Sequence, residues 1–133
     1  MGTSKDQTID SAVNALRDPD RIITGDRATT FVWDLGPDPE GGTQQAVLVI
    51  GHHKRSRGGV FAATLLNRVE DGSEQRMGSI TDWTRLKHEP AARYSKTAHE
   101  QFASSALAEL YSIYSQRSPQ GEQVRAYFTV KAP

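Results

Sequence analysis

Cysteine is absent from this sequence of 133 residues, so the chain can have neither a disulfide bond nor a thiolate that binds a metal or attacks a substrate. The first residues, Met1 to Asp6, contain no apolar run of the kind found in a signal peptide. No segment approaches the roughly 20 apolar residues that a membrane-spanning helix needs. From these features we expect a cytoplasmic protein that has no contact with a membrane.

The sequence also lacks an excess of charge of either sign, because 16 Lys and Arg residues balance 16 Asp and Glu residues. A neutral chain has no global basic field that would attract nucleic acid, so any such binding must depend on how the charges are distributed. The length suits a single domain, which we predict to span residues 1–133.

Sequence motifs for known chemistry are missing as well. There is no H-E-x-x-H, no G-x-S-x-G, no P-loop and no G-x-G-x-x-G motif. Four histidines invite a metal hypothesis, in which His52, His53, His88 or His99 would join Glu89 or Glu100. Adjacent residues point in different directions on a strand or a helix, so this spacing argues against a metal site. We therefore expect no metal and no cofactor.

A short N-terminal helix and four strands are predicted from the apolar pattern. Ile9, Ala12, Val13 and Leu16 form one helical stripe, which Asp18-Pro19 ends. The predicted strands are 28–35, 46–50, 60–69 and 75–83, separated by loops at 36–42 and 51–59 and by an Asp-Gly turn at 70–73. The second strand is apolar on both faces, which is typical of a central strand. Short connections predict that consecutive strands pair as an antiparallel meander.

A long helix is predicted to begin at Thr97, because Thr97 and Glu100 have the spacing of a capping box. Residues 83–95, which include Pro90, are predicted to be a connection. One side of the helix is apolar and could cover a sheet: Phe102, Ala103, Ala106, Leu107, Leu110, Ile113 and Tyr114. After a stop at 118–121, alternation predicts a fifth strand over 124–130. The order α-β-β-β-β-α-β predicts an α+β fold, a mainly antiparallel five-stranded sheet with one long helix packed on one face.

Basic residues are concentrated where the predicted meander brings two connections together. Alternate turns of a meander lie at the same end of the sheet, so the 51–59 loop and the 83–95 connection should share one end. This end is a candidate anion or nucleic-acid site, made of His52, His53, Lys54, Arg55, Arg57, Arg85, Lys87, Arg93 and Lys96. The start of the long helix would add partial positive charge there. The alternative is that these basic side chains are simply solvated, while the opposite end is predicted to be acidic.

Two aromatic residues, Trp83 and Tyr94, flank the predicted basic end and are candidate partner contacts. An exposed patch that includes Trp33, Trp83 or Tyr127 would equally favour a protein partner. The alternative for each of these side chains is ordinary packing in the core.

His99 lies in the first turn of the predicted helix, within its apolar arc, where burial favours the neutral imidazole. It could be a catalytic base, or a packed histidine whose ring nitrogen bonds the sheet. Asp82, at the predicted end of a strand, is either an acid or a local cap.

We expect a small non-enzymatic binding or accessory protein that acts through a protein partner or as a homo-oligomer. Nucleic-acid or phosphate binding through the basic end is one alternative. A small enzyme with a pocket near His99 is another.

Overall fold

The computed structural model of the protein describes residues 16–55, 58–71 and 79–131. Within these residues five strands form one antiparallel sheet in the order of the sequence. The strands are β1 (Arg21–Gly25), β2 (Ala28–Pro37), β3 (Thr43–Arg55), β4 (Gly58–Glu70) and β5 (Ser79–Pro90), and the helices are α1 (Lys96–Tyr114) and α2 (Pro119–Ala126). The predicted α+β class, with a five-stranded antiparallel sheet and one long helix, is confirmed. Neither of the two described helices has the length and apolarity needed to cross a lipid bilayer.

The core lies between the sheet and α1. Alternate residues of the three central strands, such as Trp33, Leu48 and Leu65, are fully buried against the apolar side of α1. The predicted apolar arc of the helix is confirmed, and its buried members are His99, Phe102, Ala103, Ala106, Leu110 and Ile113. Burial of this arc stabilises the fold by removing apolar surface from water. A smaller cluster of Val32, Val47 and Leu66 lies on the opposite face of the sheet, which we call the second face.

The first strand of the sheet was not predicted. β1 is a run of five exposed residues that pairs with β2 through a two-residue turn at Asp26 and Arg27. Its isoleucines, Ile22 and Ile23, are both exposed, so β1 has no alternation between a buried and an exposed face. The predicted N-terminal helix lies outside the described residues apart from Leu16, which packs against the core without being helical.

The central strands are longer than predicted. β3 continues through His52, His53 and Lys54 to Arg55, which pairs with Gly58 at the start of β4. The predicted loop at 51–59 is therefore wrong for most of its length, because Gly51 lies within the strand and pairs with Ala62. A polar sequence at the end of a strand resembles a loop in composition although its backbone hydrogen bonds are those of a sheet.

The last strand was predicted too early in the sequence. β5 extends to Pro90, whereas residues 84–90 were predicted as a connection, and residues 75–78 of the predicted strand lie outside the described residues. Its pairing with β4 shifts register between Ala63 and Thr64 and again between Asn67 and Arg68. Two such irregularities break the period of two on which sequence analysis depends. Pro90 is tolerated because it ends an edge strand.

The predicted strand at 124–130 is also wrong, because its first part belongs to α2. The helix begins after Ser118, whose hydroxyl accepts a hydrogen bond from the N–H of Gly121 at 3.0 Å, and Pro119 occupies the first turn. An N-cap serine followed by proline favours a helix start, and here it overrides the alternation of Val124, Ala126 and Phe128. The start of α1 also differs from the prediction, because its N-cap is Ser95 and not Thr97.

Candidate ligand-binding groove at the start of helix α1

The β1–β2 turn, the paired ends of β3 and β4 at Arg55 and Gly58, and residues 91–95 meet at one end of the sheet. We call this the helix-start end. The N–H of Ala91 donates to the carbonyl of Gly59 at 2.9 Å, and Gly58 lies beside Ala92. The backbones of Arg55 and Arg93 are therefore close, as the meander predicted.

Only part of the predicted basic cluster lies at this end. Lys54, Arg93 and Lys96 are exposed there, whereas Arg57 lies outside the described residues. Arg85 and Lys87 were placed wrongly, because both belong to the body of β5, opposite Thr64 and Ala63. They lie along the strand and not at its end because β5 continues to Pro90. The ammonium of Lys87 also forms an ion pair with Glu109 of α1 at 3.2 Å.

The histidines and aromatic residues of the cluster differ in their surroundings. Nε2 of His52 lies 2.7 Å from the carbonyl oxygen of Ala91, and its ring packs against Phe61, so His52 is a structural residue. His53 and His88 are exposed, His88 on the second face opposite Ala62. Tyr94 is half-buried and packs on the rings of His52, Phe61 and His99.

The aromatic patch expected for a protein partner is reduced to Trp83. Trp33 is fully buried and Tyr127 nearly so, whereas Trp83 is 61% exposed on the second face. Asp82 accepts a hydrogen bond from the backbone N–H of Trp83 at 2.8 Å, as a local cap does.

A groove of about 620 Å³ opens between the β1–β2 hairpin and the first turns of α1. Its floor is made of buried residues, namely Thr29 of β2 and His99 and Ala103 of α1. Its rim carries Asp26 and Arg27 from the hairpin turn and Lys96 and Glu100 from the helix. Tyr94 forms one wall. We call this cavity the His99 groove, and its volume is within the range typical of small-ligand sites, about 300–1,000 Å³.

His99 contributes a buried polar atom that no group of the described residues satisfies. Its Nε2 lies 2.8 Å from Oγ1 of Thr29. Its Nδ1 is buried and has no hydrogen-bond partner among the described residues. Burial lowers the pKa of His99 below the ordinary value of 6.5, and the nearby carboxylate of Glu100 opposes this shift. A buried polar nitrogen without a partner is costly, commonly by about 1–3 kcal/mol.

The rim holds one cation in a defined position. Arg27 adopts a left-handed backbone conformation with φ of 55°, which is uncommon for a residue other than glycine. Its guanidinium carbon lies 5.1 Å from the centre of the Tyr94 ring, a cation–π contact. The turn and the aromatic wall together hold a positive charge at the mouth of the groove.

The floor of the groove contains one pair of groups of the kind used in nucleophilic catalysis. A hydroxyl and an imidazole in hydrogen-bond contact, as Thr29 and His99 are, resemble a nucleophile and its base. In such pairs a third group normally orients the base through its other ring nitrogen, and Nδ1 of His99 has no such partner in the part of the chain that the structure describes. In the same described ranges, no three side chains of His, Asp or Glu converge as a metal site requires.

Thr29, Asp26 and Arg27 were missed by sequence analysis. For Thr29, the sequence did contain a signal. The period of β2 that aligns Phe31, Trp33 and Leu35 also places Thr29 on the same face, as a polar interruption of an apolar row. His99 is the matching interruption in the apolar arc of α1. Two polar residues on two surfaces that must pack together predict a contact, which is the one observed.

The chain matches no protein-family profile, no curated protein sequence and no solved structure.

Proposed function

We propose that this protein is a non-enzymatic binding protein whose small polar ligand occupies the His99 groove. The observation that supports this proposal is that His99 lines the groove while its buried Nδ1 has no partner among the described residues. Buried polar groups are almost always hydrogen-bonded, and an exception next to a cavity is accounted for if a ligand supplies the bond.

Thr29 permits either hydrogen-bonding role for the ligand. A hydroxyl both donates and accepts, so Nε2 of His99 can carry the proton or leave it on Nδ1. The ligand atom at Nδ1 is accordingly an acceptor in one tautomer and a donor in the other. Neither tautomer requires a charged imidazole, in agreement with the lowered pKa of His99.

The experiment is a ligand screen by saturation-transfer NMR against a defined panel of free amino acids, alanyl dipeptides, short carboxylic acids, hexoses and nucleoside monophosphates. Three proteins are compared: wild type, His99→Phe, and His53→Phe as the matched control at an exposed histidine of the same end. At least one compound should bind wild type and the control but not His99→Phe. His99→Leu serves as a second variant in case the larger ring disturbs the floor.

Two results would remove the proposal. One is that no compound of the panel binds wild type. The other is that every compound that binds does so equally well to both His99 variants, which would place the binding site elsewhere.

A nucleic-acid function has weaker support. Asp26, Glu89 and Glu100 lie at the helix-start end among the basic residues, and each reduces the positive field there. Binding of a nucleic acid should fall steeply with salt. An oligonucleotide whose affinity for the protein is abolished by Lys54→Glu and Arg93→Glu would favour this alternative over the groove.

A second candidate function is self-association through β5, supported by the exposure of Trp83 and Ile80. Both side chains lie on the second face, opposite Leu66 and Arg68 of β4, and they are 61% and 55% exposed. The outer edge of β5 has no strand beside it in the described residues. We propose a second copy of the chain as the occupant, because the edge of one β5 offers the main-chain groups that another requires.

Sedimentation equilibrium of wild type and Trp83→Asp tests this second candidate. A dimer of wild type that Trp83→Asp converts to a monomer supports it. A wild-type monomer at high concentration contradicts it, as does a dimer that the substitution leaves intact.

A further inference from the structure

The rim of the His99 groove carries charges of both signs that form no ion pair with another described residue. Asp26 and Arg27 come from the β1–β2 turn, and Lys96 and Glu100 come from the first turns of α1. All four side chains are exposed. Among the described residues no ion pair joins any of them to each other or to another side chain, although Arg21 with Asp34 and Lys87 with Glu109 do form such pairs.

The sequence of the helix disfavours a pair between Lys96 and Glu100. They are four residues apart, so they are neighbours on the helix surface, but lysine precedes glutamate, which is the weaker orientation for such a pair. Arg27 is directed to the Tyr94 ring. These features leave two carboxylates and two cations available around one opening.

The formal charges of the rim add up to zero, which bears on the chemistry of the ligand. A simple anion would be attracted by Arg27 and Lys96 but repelled by Asp26 and Glu100. A simple cation would be attracted by the two carboxylates but repelled by the two basic side chains. A molecule with separated charges of both signs is complementary to all four groups.

We propose that the ligand is a zwitterion of the size of an amino acid or a dipeptide. Its carboxylate contacts Arg27 and Lys96, its ammonium group contacts Asp26 and Glu100, and a polar atom bonds Nδ1 of His99. This inference depends on the proposed function, because it names the ligand class of the same groove. The contact with the buried nitrogen orients the molecule, and the exposed rim recognises its two charged ends.

The test uses blocked forms of the same molecules. The free amino acids and the alanyl dipeptides are titrated into 15N-labelled protein, each also as its N-acetyl form, which lacks the ammonium, and as its amide, which lacks the carboxylate. At least one free form should perturb the amide signals of Gly25 and Glu100. The two blocked forms of that compound should each bind the protein at least about tenfold more weakly than the free form, which corresponds to about 1.4 kcal/mol.

Charge-reversal variants identify which end of the ligand meets which side of the rim. Arg27→Glu should weaken binding of the free form and of the N-acetyl form, but leave the amide largely unaffected. Asp26→Lys should weaken the free form and the amide instead. Lys54→Glu is the matched control, since Lys54 is an exposed cation of the same end that does not line the groove, and it should change none of the three affinities.

The outcomes separate this inference from the proposed function. If blocked forms bind as tightly as free forms and His99→Phe abolishes both, the groove is a ligand site but the ligand class is wrong. The class is also wrong if a carboxylic acid or a nucleotide from the panel binds more tightly than every zwitterion. If no compound of the panel binds in the groove, both proposals fail.

Discussion

The two ends of the sheet differ in whether their polar side chains have hydrogen-bond partners among the described residues. At the end away from the start of α1, which we call the far end, Arg21 donates two hydrogen bonds to Asp34, at 2.7 and 2.9 Å. The buried amide of Gln45 donates to Asp34 and to Glu70, both at 2.8 Å, and accepts from Arg68 at 2.7 Å. Each member of this network satisfies another member.

The far end also contains a cavity, of about 420 Å³, and the buried side-chain amides that line it, Gln44, Gln45 and Asn67, are all hydrogen-bonded within the protein. The amide of Gln44 donates to the carbonyl of Lys131 at 2.9 Å and accepts from its N–H at 2.8 Å. Asn67 donates to the carbonyl of Tyr127 at 2.6 Å. At the helix-start end, by contrast, Nδ1 of His99 and the four rim charges lack such partners. The polar groups that stabilise the fold are hydrogen-bonded to one another, whereas those without a partner among the described residues are available to a ligand.

The largest effect should follow from a substitution in the core near the far end. Trp33 is fully buried, its Nε1 donates to the carbonyl of Arg17 at 2.9 Å, and its ring packs edge-on against Phe128. Trp33→Ala should lower the free energy of unfolding by about 3–5 kcal/mol. Ile22→Ala, at an isoleucine of β1 that is 60% exposed, should change it by no more than about 0.5 kcal/mol. Urea unfolding measures both, and equal losses would contradict the burial described.

A smaller effect is expected for Asp34→Ala, which removes the acceptor shared by Arg21 and Gln45. The loss should be about 1–2 kcal/mol at neutral pH, because the buried amide of Gln45 loses a partner while the exposed Arg21 regains water. The hydrogen bond from Arg21 holds the pKa of Asp34 below the ordinary value of 3.8. A carboxyl with a lowered folded-state pKa stabilises the fold above 3.8, and this contribution is lost as pH falls through the folded-state value.

Urea unfolding of wild type and Asp34→Ala at neutral and acidic pH checks this prediction. The difference between the two proteins should be largest near neutrality and should shrink once the pH falls below 3.8. A difference that stays constant with pH would show that the ionised carboxylate is not the stabilising species.

A smaller effect on stability than that of Asp34→Ala is expected at the groove. His99→Phe removes a buried nitrogen that lacks a partner among the described residues. It also removes Nε2, so the hydroxyl of Thr29 loses its hydrogen-bond partner. These effects oppose each other, so the free energy of unfolding should change by less than about 1 kcal/mol near neutral pH. Loss of binding without loss of stability is the pattern that distinguishes a ligand site from a structural one.

The pH dependence sharpens this prediction. Because burial lowers the pKa of His99 in the folded protein, the unfolded chain binds the proton more tightly, and wild-type stability falls as pH drops from 6.5 to the folded-state value. His99→Phe lacks this titration, so its stability relative to wild type should rise over that interval. A stability curve of His99→Phe that runs parallel to that of wild type would contradict the burial of a neutral His99.

Helices and strands were predicted correctly from the sequence where a single regular pattern of apolar residues extended through the element. The arc from Phe102 to Ile113 and the alternation around Trp33 are local periods, and both were identified correctly. β5 was misplaced because two bulges interrupt its period, and α2 was missed because Ser118 and Pro119 start a helix within an alternating segment. In both cases a local irregularity outweighed the average pattern.

The groove could be predicted only in part, because its walls come from distant parts of the chain. Thr29 and His99 are separated by 70 positions, and β1, which carries the turn with Asp26 and Arg27, showed no alternation. The predicted basic cluster included Lys96, which lies at the rim of the groove. It omitted Asp26 and Arg27, because without β1 nothing brought the turn to the start of the helix.

The central claim is that Nδ1 of His99 awaits a partner from a ligand, and long-range 1H–15N NMR of the histidine rings tests it most directly. Spectra are recorded with and without the tightest-binding compound of the panel. The ring nitrogens of His99 should shift on binding, with Nδ1 moving most, while those of the exposed His53 stay unchanged. A saturated complex in which the His99 ring signals do not move would contradict the account.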